Sequence, residues 1–101
     1  MQLPESDSKI KLDSGSALLY KQPTQVVLEF YTEMNRLVTY NRIPYFLLDR
    51  NNEEEAINVV ESYWESASML CNPKVLAPPN KETVERIISE AKELLGLEKK
   101  E

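Results

Sequence analysis

Histidine is absent from this sequence. With it go every Ser-His-Asp and Cys-His arrangement, the usual zinc and non-haem iron ligand sets, and the commonest general base near neutral pH. Cysteine occurs once, at Cys71, so no disulfide can form within the chain and a cytoplasmic setting is expected. Glycine occurs twice, at Gly15 and Gly96, and neither position allows a GxGxxG or GxxxxGK[ST] phosphate cradle. So few glycines favour helix over a turn-rich all-β fold. Apolar runs stay far below the roughly 20 residues of a membrane span, and MQLPESDSKIKLD at the N-terminus has no apolar core of the kind a signal peptide needs. No membrane contact is expected. Basic residues are the minority, 12 against 17 acidic, for a net charge of −5. That balance argues against nucleic-acid binding through a broad basic patch.

What the chain does contain is an ordinary globular composition, 42% apolar and 29% charged over 101 residues, which is enough for one domain. The expected division is a flexible tail at 1–8, a single domain at 9–97 and a charged tail at 98–101. The expected fold is mainly α, with α+β as the alternative.

The most informative stretch runs from Asn51 to Pro73. Asn51 or Asn52 can cap a helix, Glu53, Glu54 and Glu55 suit the positive end of its dipole, and Asn72-Pro73 closes it. Ala56, Ile57, Val60, Tyr63, Trp64, Ala67, Leu70 and Cys71 recur within an arc of roughly 140°, which predicts a helix over 52–71. A second helix is predicted over 81–95, capped by Asn80, with Val84, Ile87, Ile88, Ala91, Leu94 and Leu95 inward and Gly96 as a left-handed C-cap. A third is predicted over 24–42, with Thr24 as cap, Val27, Phe30, Tyr31, Met34, Leu37 and Val38 inward, and Glu33 paired with Arg36. Val26 and Leu28 widen that stripe to roughly 200°. Alternation in KIKLD, the turn Ser14-Gly15-Ser16 and the following apolar run predict a β-hairpin of strands at about 9–13 and 17–21. Tyr45-Phe46-Leu47-Leu48, after Pro44, fits a short strand at 45–48.

No chemistry-bearing constellation emerges. Cys71 falls at a helix C-terminus, where partial negative charge disfavours a thiolate, and reads as a small buried hydrophobe. Glu29/Glu33 and Glu61/Glu65 form i,i+4 pairs but lack the Glu-x-x-His partner of carboxylate metal sites. Neither cofactor nor metal is expected, and no enzyme activity. The leading reading is a small acidic module that binds another protein, a basic one among the options. It is expected to form a homodimer because a helix apolar over so wide an arc must meet a second layer or a second chain. Its candidate interface residues are Val26, Leu28, Tyr31, Tyr63 and Trp64, of which Tyr63 and Trp64 fit this protein's own core better than an interface. The alternatives are an acidic inhibitor or mimic that occupies a basic site of a nucleic-acid-handling protein, and a winged-helix-like nucleic-acid-binding regulator using Arg36, Arg42 and Arg50.

Overall fold

The computed structural model describes residues 5–49 and 53–97. Four antiparallel strands come first: β1 (Ser8–Lys11), β2 (Ser16–Gln22), β3 (Gln25–Tyr31) and β4 (Leu37–Pro44), joined in sequence order as a meander. Three helices follow among the described residues: α1 (Tyr45–Asp49), α2 (Glu53–Met69) and α3 (Lys81–Leu94). The fold is α+β with a prominent sheet, and the mainly-α expectation is wrong.

The error lies in residues 24–42, which form the β3–β4 hairpin and no helix. Pro23 and Thr24 are the two-residue turn between β2 and β3, closed by the pair Gln22–Gln25. Proline presets the dihedral that the first turn position needs, so Thr24 caps no helix. Val26, Leu28 and Phe30 face the helices, while Val27 and Tyr31 are buried on the other side of the same strand. A strand buried on both faces loses its period-two signature, and seen on a helical wheel it becomes an over-wide stripe. At the far end, Asn35 takes a left-handed conformation with φ 63°, as asparagine tolerates in tight turns. Glu33 does not meet Arg36; it pairs with Lys11 at 3.5 Å.

The segment 45–48 errs the other way. β4 ends at Pro44 and Tyr45–Asp49 is one short helix, which buries Leu47 and Leu48 and exposes Tyr45 and Phe46. The expected hairpin and the two later helices coincide with β1, β2, α2 and α3 within a few residues. The expected caps Asn51 and Asn52 lie outside the described residues. On α3 the Asn80 side chain accepts from the Thr83 amide at 2.9 Å. At its other end Gly96 has φ 73°, and the Leu97 amide reaches the Lys92 carbonyl at 2.8 Å.

All three helices pack on one face of the sheet. Ile10, Ala17, Leu19, Val26, Leu28, Phe30 and Ile43 line that face and join Trp64, Val60, Ala67, Ile87, Ile88 and Leu76 in one core. Trp64 is its keystone: fully buried, stacked on Phe30 at 5.7 Å, with its indole N–H donating to the Ala77 carbonyl at 2.7 Å. α2 lies beneath β4, where the Tyr63 hydroxyl donates to the Arg42 carbonyl at 2.8 Å. α3 lies beneath β1 and β2, where the Ser8 hydroxyl donates to Glu90 at 2.6 Å. The segment after α2 is tied to the strand ends, through the Ala77 amide on the Ser14 carbonyl and the Glu33 amide on the Val75 carbonyl. Gly15, at φ 91°, permits that closure, because a Cβ there would stand 2.5 Å from the Tyr31 carbonyl oxygen.

Candidate functional site

With the helices on one side, the other face of the sheet is left without a covering element among the described residues. Period-two alternation decides what it shows. The register aligns Lys9, Leu18, Glu29 and Tyr40 in one row across the four strands. It aligns Lys11, Ser16, Tyr31 and Leu37 in a second row, and Tyr20, Val27 and Arg42 in a third. A bulge between Phe30 and Tyr31 shifts the pairing so that Leu37 comes opposite Tyr31. Leu18 and Val27 are buried although no helix covers them. Each sits between longer side chains on the neighbouring strands, Leu18 between Lys9 and Glu29 and Val27 between Tyr20 and Arg42.

At the centre, the Tyr31 hydroxyl donates to Glu29 at 2.8 Å. Burial, and then the neighbouring Glu29 carboxylate, push the Tyr31 phenol well above its ordinary range. Tyr20 is pushed up as well, first by burial and next by Glu29. Both phenols are therefore neutral across the physiological range, and Tyr31 holds the Glu29 carboxylate in place. Nearer the edge the face opens out. Leu37 and Tyr40 are each 52% exposed, and the Arg42 guanidinium stacks over the Tyr40 ring at 5.5 Å. At another margin, a shallow cleft of about 370 Å³ lies between Tyr20 and the segment Glu5, Ser6 and Asp7.

Charge is divided between the two sides of the molecule. The strands carry Lys9, Lys11, Lys21 and Arg42 against Glu29 alone. α2 carries Glu53, Glu54, Glu55, Glu61 and Glu65 and no basic residue. The acidity of the whole chain thus belongs to its helical side.

The candidate interface residues named from sequence do not come together. Val26, Leu28 and Trp64 are fully buried on the helix-covered face. Tyr63 is half-buried at the junction of α2 and β4, and Tyr31 alone lies on the open face. Val26 and Leu28 therefore provide no surplus apolar surface for a second chain. Arg36 is exposed in the β3–β4 turn, Arg42 lies on the open face, and Arg50 is outside the described residues. Tyr20, Glu29, Leu37 and Tyr40 were not singled out as one site, although the i,i+2 spacing of Glu29 with Tyr31 and of Tyr40 with Arg42 carries the signal once both segments are read as strands. Glu29 and Glu33 are separated by the end of β3, so they form no side-by-side pair. Cys71 is half-buried against the core. Among the described residues no group of three or more metal-ligating side chains converges, and no helix is long and apolar enough to cross a membrane. Comparison with family models, curated proteins and solved structures finds no match to this chain.

Proposed function

We propose that the chain is a non-enzymatic protein-binding module whose working surface is the open face of the sheet. The observation that supports this reading is the half-exposed pair Leu37 and Tyr40, set beside Arg42 on a face that no helix covers. Tyrosine and arginine are the types most enriched at binding hot spots, because they offer broad contact area with little entropy to lose. The supporting rows are already rigid: Tyr31 and Glu29 are locked to each other, and β3 is paired on both sides. Such preorganisation lowers the ordering cost of association.

The chemistry of the face describes its partner. The face offers Leu37 and Tyr40 beside Arg42, with Lys9 in the row of Tyr40, while Lys11 is paired with Glu33 and Glu29 is engaged by Tyr31. It suits a protein surface with an apolar anchor flanked by acidic groups, reached by electrostatic steering despite the net negative charge of the whole chain. The test compares capture of proteins from the native source by the wild type, by Leu37→Ser/Tyr40→Ser, and by Glu85→Gln on the helical side. The reading expects the double variant to lose the captured protein while its melting temperature changes little, and Glu85→Gln to retain it. Capture undiminished by the double variant would refute it.

A further inference from the structure

The outer edge of β4 carries a second surface, distinct from the open face. Backbone parity shows which of its groups are free. Gln22 and Gln25 close the β2–β3 turn as a hydrogen-bonded pair, so Val27 and Glu29 direct their amides and carbonyls at β2. Val26, Leu28 and Phe30 then direct theirs at β4, and Thr39, Asn41 and Ile43 are the β4 residues that answer them. The bond from the Tyr45 amide to the Thr24 carbonyl has the same parity. The backbone groups of Tyr40 and Arg42 consequently point outward from the edge. Of these, the Arg42 carbonyl accepts from Tyr63 and keeps its second lone pair.

The two edges of the sheet differ. β1 has four residues, two of them lysines, the usual protection of an edge against pairing. β4 has eight residues and a single charge. Directly beneath it, the flank of α2 next to Tyr63 is formed by Val59, Tyr63 and Ser66, continued by Leu70 just past the helix end. This four-three-four spacing is that of a coiled-coil seam, and Leu70 is 72% exposed. On a helix otherwise rich in glutamate, this strip carries no charge from Val59 to Leu70, and Glu55, one turn before Val59, borders only its N-terminal end. Glu54, Glu61 and Glu65 project from the opposite flank, the side on which Glu53 pairs with Lys92 of α3.

We propose that a second copy of this chain docks here, β4 antiparallel to β4 of its partner about a two-fold axis beside Tyr40, with the two α2 strips packed against each other underneath. A two-fold interface requires a patch complementary to itself. This one meets that condition in both layers. Outward amides and carbonyls satisfy one another across the strands, and the facing helix strips bring no glutamate row against another. The footprint is large enough. β4 extends about 26 Å at ~3.3 Å per residue, and two layers give a strip roughly 20 Å tall. That is on the order of 500 Å² per copy and 1,000 Å² in all, the lower bound for a specific interface. An interface at that bound is expected to associate reversibly. Its eight-stranded sheet would set the open faces of the two copies side by side. The dimer stands independently of what the open face binds.

The test is the solution mass, by chromatography with light scattering, over a concentration series. The wild type should reach twice the 11.7 kDa of one chain. Tyr40→Pro removes an outward amide that the β3 ladder does not use. It should stay folded by far-UV circular dichroism and raise the dissociation constant at least ~10-fold. Ser66→Glu/Leu70→Glu, which sets like charges face to face in the lower layer, should do the same and decides the matter alone if Tyr40→Pro fails to fold. A wild type that remains monomeric throughout the series overturns the proposal, as does a dimer that persists in the folded variants.

Discussion

Replacing Trp64 by phenylalanine and, separately, by alanine tests whether this side chain holds the sheet and helices together. The indole is fully buried, stacked on Phe30 at 5.7 Å, and hydrogen-bonded to the Ala77 carbonyl at 2.7 Å. Phenylalanine keeps an aromatic ring against Phe30 but strands the Ala77 carbonyl, at a cost of ~1–3 kcal/mol for an unsatisfied buried acceptor. Alanine adds the cavity, and truncation of a buried Trp alone costs ~3–5 kcal/mol. The expected losses are about 2 kcal/mol for Trp64→Phe and about 5 kcal/mol for Trp64→Ala. A domain of this length has on the order of 5–15 kcal/mol in total, so the alanine variant should be near the limit of folding. Urea titration followed by far-UV circular dichroism reads both, since tryptophan fluorescence is lost with the mutation. At an m-value of roughly 1.5 kcal/mol/M, Trp64→Phe should lower the midpoint by more than 1 M. If Trp64→Ala costs less than about 1 kcal/mol, Trp64 does not belong to the core and the packing described above is wrong.

Other perturbations address single links. Gly15→Ala should destabilise by about 2–4 kcal/mol, from left-handed strain and the clash with the Tyr31 carbonyl, and a wild-type urea midpoint would refute the close approach. Asn80→Ala should cost about 1 kcal/mol through loss of the α3 cap, visible as a drop in melting temperature. The raised phenols of Tyr20 and Tyr31 favour the folded state while protonated, so their contribution is complete below the ordinary phenol range and declines as pH climbs through it and beyond. Stability measured between about pH 8 and 11 should therefore fall at the alkaline end, and Tyr31→Phe should flatten that fall; an equally steep fall in the variant would show that Tyr31 takes no part.

The parts of this fold that the sequence discloses are those that bury one side. KIKLD alternates because β1 buries Ile10 toward the helices and shows Lys9 and Lys11 to solvent. α2 and α3 carry narrow stripes, and α3 carries caps at both ends. β3 is hidden by its central position. With strands on both sides and apolar residues on both faces, VVLEFY has the density of a helix and the pattern of none. The better evidence lay in composition and turns: adjacent Val26 and Val27 with Phe30 and Tyr31 favour a strand, and Pro23-Thr24 and Asn35 bound it. Residues 45–48 mislead because a helix of one and a half turns is too short to display a period. The candidate site inherits the β3–β4 error. On a helix Glu29 falls on the polar side, away from Tyr31, and Tyr40 and Arg42 point apart. On strands the same residues converge on one face. Tyr20 needed one step more, since it reaches that face only through the register of β2 on β3, which depends on the length of the Pro23-Thr24 turn.

The most direct measurement of the open face as a protein-binding surface is site-specific photo-crosslinking in the native source, with the reactive residue placed at Leu37 on the sheet or at Glu85 on α3. The expected result is a discrete protein adduct from position 37 and none from position 85. An adduct from position 85 with none from position 37 would place the working surface on the acidic helical side and contradict the assignment made here.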